Sequence, residues 1–126
     1  MTHDPTSALA GLRVFIAEDE FHVLQLLEDM LAELGCAICD SVSSVTAALD
    51  RAAATEAEIA LLDVNLRGKT IFPAAQILRD RGIPIAFSTG YGIDGLGAEW
   101  KTSPVIQKPF AIERLERVLM QLRNRI

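Results

Sequence analysis

Six residues of this chain carry groups from which a chemical site could be built, and each follows a short apolar run: Glu18, Asp19, Glu20, Asp63, Thr89 and Lys108. Carboxylates crowded at one rim repel each other and raise one another's pKa, so such a site makes physical sense when a cation occupies it. A hard, oxygen-loving ion such as Mg²⁺ is the natural candidate. A lysine and a hydroxyl beside the carboxylates are what a covalently held phosphoryl group requires, with ammonium and cation taking the charge on its oxygens and the hydroxyl donating a hydrogen bond. Taken singly, each residue has a plainer reading. Asp63 is also a helix cap or turn former, Thr89 a backbone partner, Lys108 a solvated charge, and Glu18 to Glu20 a favourable neighbour for a helix N-terminus. Together they point to chemistry, because four separate segments meet the same rim.

The elements that must bring them there follow from hydrophobic period. Leu12 to Ala17 is a nearly continuous apolar run, as in a strand buried on both faces. Leu24, Leu27, Leu31 and Leu34 then recur at helical spacing, with Val23, Leu26 and Met30 widening the stripe and Gly35 placed to end it. Cys36 to Val42 reads as a second strand, and Ser43 or Ser44 can cap a helix carrying Val45, Ala48, Leu49 and Ala52. Ile59 to Leu62 is a third strand. After a polar turn at Arg67 to Thr70, Pro73 suits a first helical turn whose inner face is Ala74, Ile77 and Leu78, as far as Gly82. Pro84 to Ser88 and Pro104 to Gln107 are the remaining strands. Between them, glycines at 90, 92, 95 and 97 predict a short or frayed fourth helix, and Ile112, Leu115, Val118, Leu119 and Leu122 give the last helix a clear stripe.

Five successive β-α units predict an α/β fold, a doubly wound five-stranded parallel sheet with helices on both faces. In such sheets the working site lies beyond the carboxyl ends of the strands, where strand order reverses. The six residues are those just past the first, third, fourth and fifth strands.

Composition narrows the function. At 126 residues and 50% hydrophobic, the chain has the makings of one well-cored domain, expected over 12–126 behind a flexible tail at 1–11. A formal charge of -5 argues against nucleic acid or an anionic membrane as partner. No leader pattern and no run of about 18 apolar residues is present, so a cytoplasmic location is expected. Cys36 and Cys39 form a C-x-x-C, but only His3 and His22 could complete a zinc site, and side chains three apart on a strand point to opposite faces. They read as two buried or half-buried thiols. Gly90, Gly92 and Gly95 spell a dinucleotide-type G-x-G-x-x-G, yet after the fourth strand rather than the first, and nucleotide binding is the weakest alternative.

The runs Val14-Phe15-Ile16-Ala17-Glu18-Asp19-Glu20 and Leu61-Leu62-Asp63-Val64-Asn65-Leu66, with Thr89 and Lys108-Pro109-Phe110, resemble the receiver domains of response regulators in two-component signalling. The resemblance covers nearly the whole chain and implies the flavodoxin-like receiver fold. It implies that Asp63 is the phosphoacceptor, that Asp19 and Asp63 bind Mg²⁺ directly, and that Glu18 assists directly or through water. It also implies that the Asn65 main-chain carbonyl completes the protein ligands, and that Thr89 and Lys108 contact the phosphoryl group. A cis bond between Lys108 and Pro109 is expected, aiming the ammonium at Asp63.

Two departures from many relatives stand out. Glu18 occupies a position that is often Asp, and Val105 stands where many receivers place a switching Tyr or Phe. Phe87-Ser88-Thr89-Gly90-Tyr91 is instead similar to a receiver subgroup with a Phe-Ala-Thr-Gly-Tyr type motif, in which ordering of Gly90 to Gly97 and movement of Tyr91 would carry the response. The expected role is a stand-alone phosphoacceptor without an output domain, not an enzyme in the ordinary sense. Its expected partners are a sensor histidine kinase or phosphotransfer protein and a downstream protein target, with the chain a monomer or weak dimer. The alternatives are a pseudo-receiver that only binds and an aspartyl phosphatase, the latter disfavoured because position 65 is Asn rather than a second acid.

Overall fold

The computed structural model describes residues 8–90 and 96–126. Five strands form one parallel sheet: β1 (Arg13–Ala17), β2 (Ala37–Val42), β3 (Ile59–Asp63), β4 (Ile85–Thr89) and β5 (Val105–Gln107), in the order β2-β1-β3-β4-β5. Four α-helices lie wholly within the described residues: α1 (Phe21–Glu33), α2 (Val45–Ala54), α3 (Phe72–Asp80) and α4 (Ile112–Arg123). The chain steps outward from β1 to β2, then crosses back to place β3 on the other side of β1. The reversal therefore lies between the ends of β1 and β3, where Glu18, Asp19 and Asp63 sit.

The two faces of the sheet are sorted by the strict alternation of strand side chains. Val14 and Ile16 of β1 and Ile59 and Leu61 of β3 pack with Leu27, Leu31 and Leu34 of the α1 side and Leu115, Val118, Leu119 and Leu122 of α4. Phe15, Ala17, Ala60 and Leu62 point the other way, onto Ala48 and Ala52 of α2 and Ala74, Ala75 and Leu78 of α3. The small residues of α2 and α3 let those helices lie close to the sheet, while leucines fill the space beneath α1 and α4. Both layers are buried, so the strand ends are held on a rigid platform.

The expected boundaries hold to within one or two residues, and the local signals act as read. Ser44 caps α2 by accepting a hydrogen bond from Ala47 N at 3.2 Å, Pro73 lies in the first turn of α3, and Gly35 follows α1 at a φ of 86°. Three expectations need correction. The chain enters the core before residue 12, since Leu9 is fully buried against the α4 layer and its carbonyl accepts from Leu12 N at 3.0 Å. Cys39 is exposed rather than half-buried, because β2 is an edge strand with a bulge opposite the Val14–Phe15 step. The turn at Arg67 to Thr70 is a small antiparallel ribbon in which Asn65–Leu66 pairs with Lys69–Thr70. Its two-residue loop has Arg67 at φ 52° and Gly68 at φ 83°, as a type I′ turn demands.

Cys36 is half-buried, and burial pushes its thiol up to about 11. Both thiols are free. The expected fourth helix falls largely on residues 91–95, outside the described residues, and is followed by a 3₁₀ turn at Ala98–Trp100. No helix among the described residues is long and apolar enough to cross a membrane.

Leu31 is fully buried, so Leu31→Ala should lower the unfolding free energy by about 2–5 kcal/mol, while Glu33→Ala on the exposed side of the same helix should change it by less than about 0.5 kcal/mol. Urea unfolding of the two variants checks this.

Candidate functional site

The sheet delivers its strand ends to one rim, and the side chains past them meet. Carboxylate oxygens of Glu18, Asp19 and Asp63 lie within 4.8 Å of one another. Glu18 is 1% exposed and Asp63 is 7% exposed, which is unusual burial for acids and rules out a merely solvated cluster. Lys108 reaches in from beyond β5, and its Nζ donates to Asp63 Oδ2 at 2.8 Å. The same ammonium lies 2.6 Å from Glu18 Oε1. Lys108 thus pairs with both buried carboxylates.

Backbone donors orient the remaining oxygens. Asp63 Oδ1 accepts from Asn65 N at 3.1 Å, and Glu18 Oε2 accepts from Glu20 N at 3.0 Å. Asp19 Oδ2 accepts from Arg67 N at 2.8 Å, which ties the rim of β1 to the ribbon after β3. The Asn65 side chain stays outside the cluster and braces the ribbon, its Oδ1 accepting from Gly68 N at 2.9 Å. This Arg67–Gly68 turn was missed as part of the site in the linear chain. Its signal was Gly68 in a two-residue polar step, the mark of a tight hairpin.

Thr89 ends β4 and is buried, and its carbonyl accepts from Lys108 N at 3.0 Å, which joins the phosphate-contacting candidates through the backbone. The Lys108–Pro109 peptide bond is cis, as expected. Pro109 itself is exposed, and Phe110 behind it anchors in the α4 layer. Val105 is half-buried on β5 and leaves that position without an aromatic. Tyr91 lies outside the described residues.

The charges at the rim are unbalanced. Three carboxylates, less one ammonium, leave an excess of two negative charges. Burial raises the pKa of Glu18, and the charge of Asp63 adds to the rise, while Lys108 and the Glu20 N–H counter it in part. For Lys108, burial favours the neutral amine, but the carboxylates of Asp63 and Glu18 outweigh it and the pKa rises. Lys108 is therefore a permanent cation at neutral pH. The donor set is all oxygen and carries surplus negative charge, so it fits a hard divalent cation such as Mg²⁺.

The model of the response regulator receiver domain matches residues 14–120. The chain belongs to the response regulator receiver family. Its fold and sequence are similar to SdrG from Sphingomonas melonis Fr1, at 36% identity over 91% of this chain and 97% of that one, with a TM-score of 0.79. The BeF3-activated conformation of SdrG from Pseudomonas melonis Fr1 aligns at 35% identity over 90% and 98%, with a TM-score of 0.76. The receiver domain of the sensor histidine kinase PA1611 from Pseudomonas aeruginosa PAO1, with a magnesium ion in its active-site cleft, shares the fold at a TM-score of 0.79. It is 23% identical over 91% of this chain and 99% of that one. No curated protein matches the chain in sequence.

The raised pKa of Glu18 has a definite sign in stability. Without metal, the charged carboxylate is disfavoured by folding, so stability is highest below the unfolded-state pKa and declines as pH rises through the folded-state value. Glu18→Gln should therefore melt higher than the parent near pH 7.5 in EDTA, with the gap closing toward pH 4. Mg²⁺ should raise the parent's melting temperature more than the variant's. Scanning calorimetry over pH, with and without Mg²⁺, checks both.

Proposed function

We propose that this receiver accepts a phosphoryl group on Asp63 in a Mg²⁺-dependent reaction and signals by protein contact in the phosphorylated state. The observation that carries the reading is the buried contact of Asp63 with Lys108 at 2.8 Å, beside two further carboxylates that share no other cation among the described residues. The magnesium in the PA1611 receiver and the BeF3-activated form of SdrG support it.

Asp63 is held for in-line attack. Asn65 N fixes one carboxylate oxygen and Lys108 the other, so the carboxylate cannot rotate freely when a phosphodonor arrives. The donor is a phosphohistidine of a sensor kinase or phosphotransfer protein, or a small acyl phosphate. As an Asp63 oxygen bonds to phosphorus, the N–P bond of the phosphohistidine breaks, imidazole leaves, and an acyl phosphate remains on Asp63. Lys108 then turns its ammonium from the carboxylate to a phosphoryl oxygen, and Thr89 donates its hydroxyl hydrogen to another. Glu18, Asp19, Asp63 and the Asn65 carbonyl would hold Mg²⁺, which when bound neutralises the charge on the transferring phosphoryl oxygens. Attack of water on phosphorus restores the carboxylate and releases phosphate. In this scheme the protein promotes its own phosphorylation and reset but turns over no other substrate.

Incubation with acetyl phosphate and Mg²⁺ should add one phosphoryl group by intact mass, with none added in Asp63→Asn or in EDTA. Lys108→Ala should still bind Mg²⁺ yet be phosphorylated at least about tenfold more slowly, reflecting the lost charge at the phosphoryl oxygens. An unmodified parent chain would favour a receiver that works only as a binding module.

A further inference from the structure

Val105 puts no aromatic at its own position on β5, but Trp100 is linked to the site from two sides. Trp100 is 2% exposed and closes a cluster in which it stacks on Phe72 at 5.9 Å and meets Phe87 edge-on at 5.3 Å. Phe87 lies on β4 two residues before Thr89. Phe72 opens α3 directly after Ile71, whose N–H bonds the Val64 carbonyl next to Asp63 at 2.9 Å. Displacement of either Thr89 or the Asp63–Asn65 segment therefore acts on the walls around the indole.

The indole is also clamped. Arg79 of α3 lies over its ring at 4.4 Å, donates to the Glu99 carbonyl at 3.2 Å and approaches the Glu99 carboxylate at 3.8 Å. Inside this clamp the indole N–H has no hydrogen-bond partner among the described residues, although it is buried. A buried donor left unpaired is costly, so this packing is poised against any alternative that supplies an acceptor. Such space adjoins it: Trp100 and Arg79 line an open cavity of about 240 Å³ together with Thr102 and Ser103, whose hydroxyls are acceptors.

We propose that Trp100 is the aromatic that reports and transmits the state of Asp63, held by Arg79 when Asp63 is unmodified and moving toward the Thr102–Ser103 cavity when it is phosphorylated. The inference rests on Asp63 being the phosphoacceptor. By linkage, whatever loosens the clamp must also favour the phosphorylated arrangement.

Trp100 is the sole tryptophan, so its fluorescence reads the device directly in the full chain. On phosphorylation with acetyl phosphate and Mg²⁺, followed in parallel by intact mass, acrylamide quenching should rise about twofold, and Asp63→Asn should show no rise. Arg79→Gln, on an exposed side chain, should bind beryllofluoride with Mg²⁺ about threefold to tenfold more tightly than the parent. Trp100→Phe keeps an aromatic in the cluster, removes the unpaired N–H, and should bind it more weakly than Arg79→Gln. Full phosphorylation by mass with unchanged quenching overturns the inference, as does unchanged beryllofluoride affinity in Arg79→Gln. A chain that gains no phosphoryl mass overturns the phosphoacceptor reading itself.

Discussion

The structure depends on a concentration of negative charge that folding makes unavoidable. Bringing β1 and β3 side by side sets Glu18, Asp19 and Asp63 within 4.8 Å, and burial removes most of the water that would screen them. Lys108, two backbone N–H groups and the turn at Arg67 offset part of that repulsion. The remainder is a standing attraction for a divalent cation and for the chemistry such a cation supports. A core made only for stability would have replaced these acids with apolar side chains.

The scaffold is built to keep that arrangement from relaxing. β3 and β4 are buried along their whole length, and each face of the sheet is sealed by a pair of helices. Acids on mobile loops would swing apart, whereas acids at the ends of packed strands cannot. The ribbon at Asn65 to Thr70 adds a brace of a different kind, since it uses a positive-φ turn to present the Arg67 N–H to Asp19. Freedom to rearrange is then left to side chains packed against the strands rather than to the strands themselves. The cluster of Phe72, Phe87 and Trp100 is such a group, packed between β4 and α3.

Much of this was legible in the linear chain because the signals are local. A strand buried on both faces needs a continuous apolar run, an amphipathic helix needs a stripe, and Ser44, Gly35 and Pro73 act through their own backbone preferences. Glu18, Asp19, Asp63, Thr89 and Lys108 could be placed at one rim because parallel β-α units force every strand to end on the same side. The edge bulge at Cys39 and the burial of Leu9 were not legible, since each reflects which neighbour a segment happens to meet.

Residue types and their order thus decide the fold class and the rim on which the acids gather, because periodicity and connectivity are properties of the chain itself. Distances and burial are not. The pairing of Lys108 with both Asp63 and Glu18, the Arg67 hydrogen bond to Asp19, and the clamp of Arg79 on a tryptophan whose N–H is unpaired arise only when segments remote in sequence are pressed together. Their strength depends on excluded water and on angles of approach, and neither exists until the layers have packed.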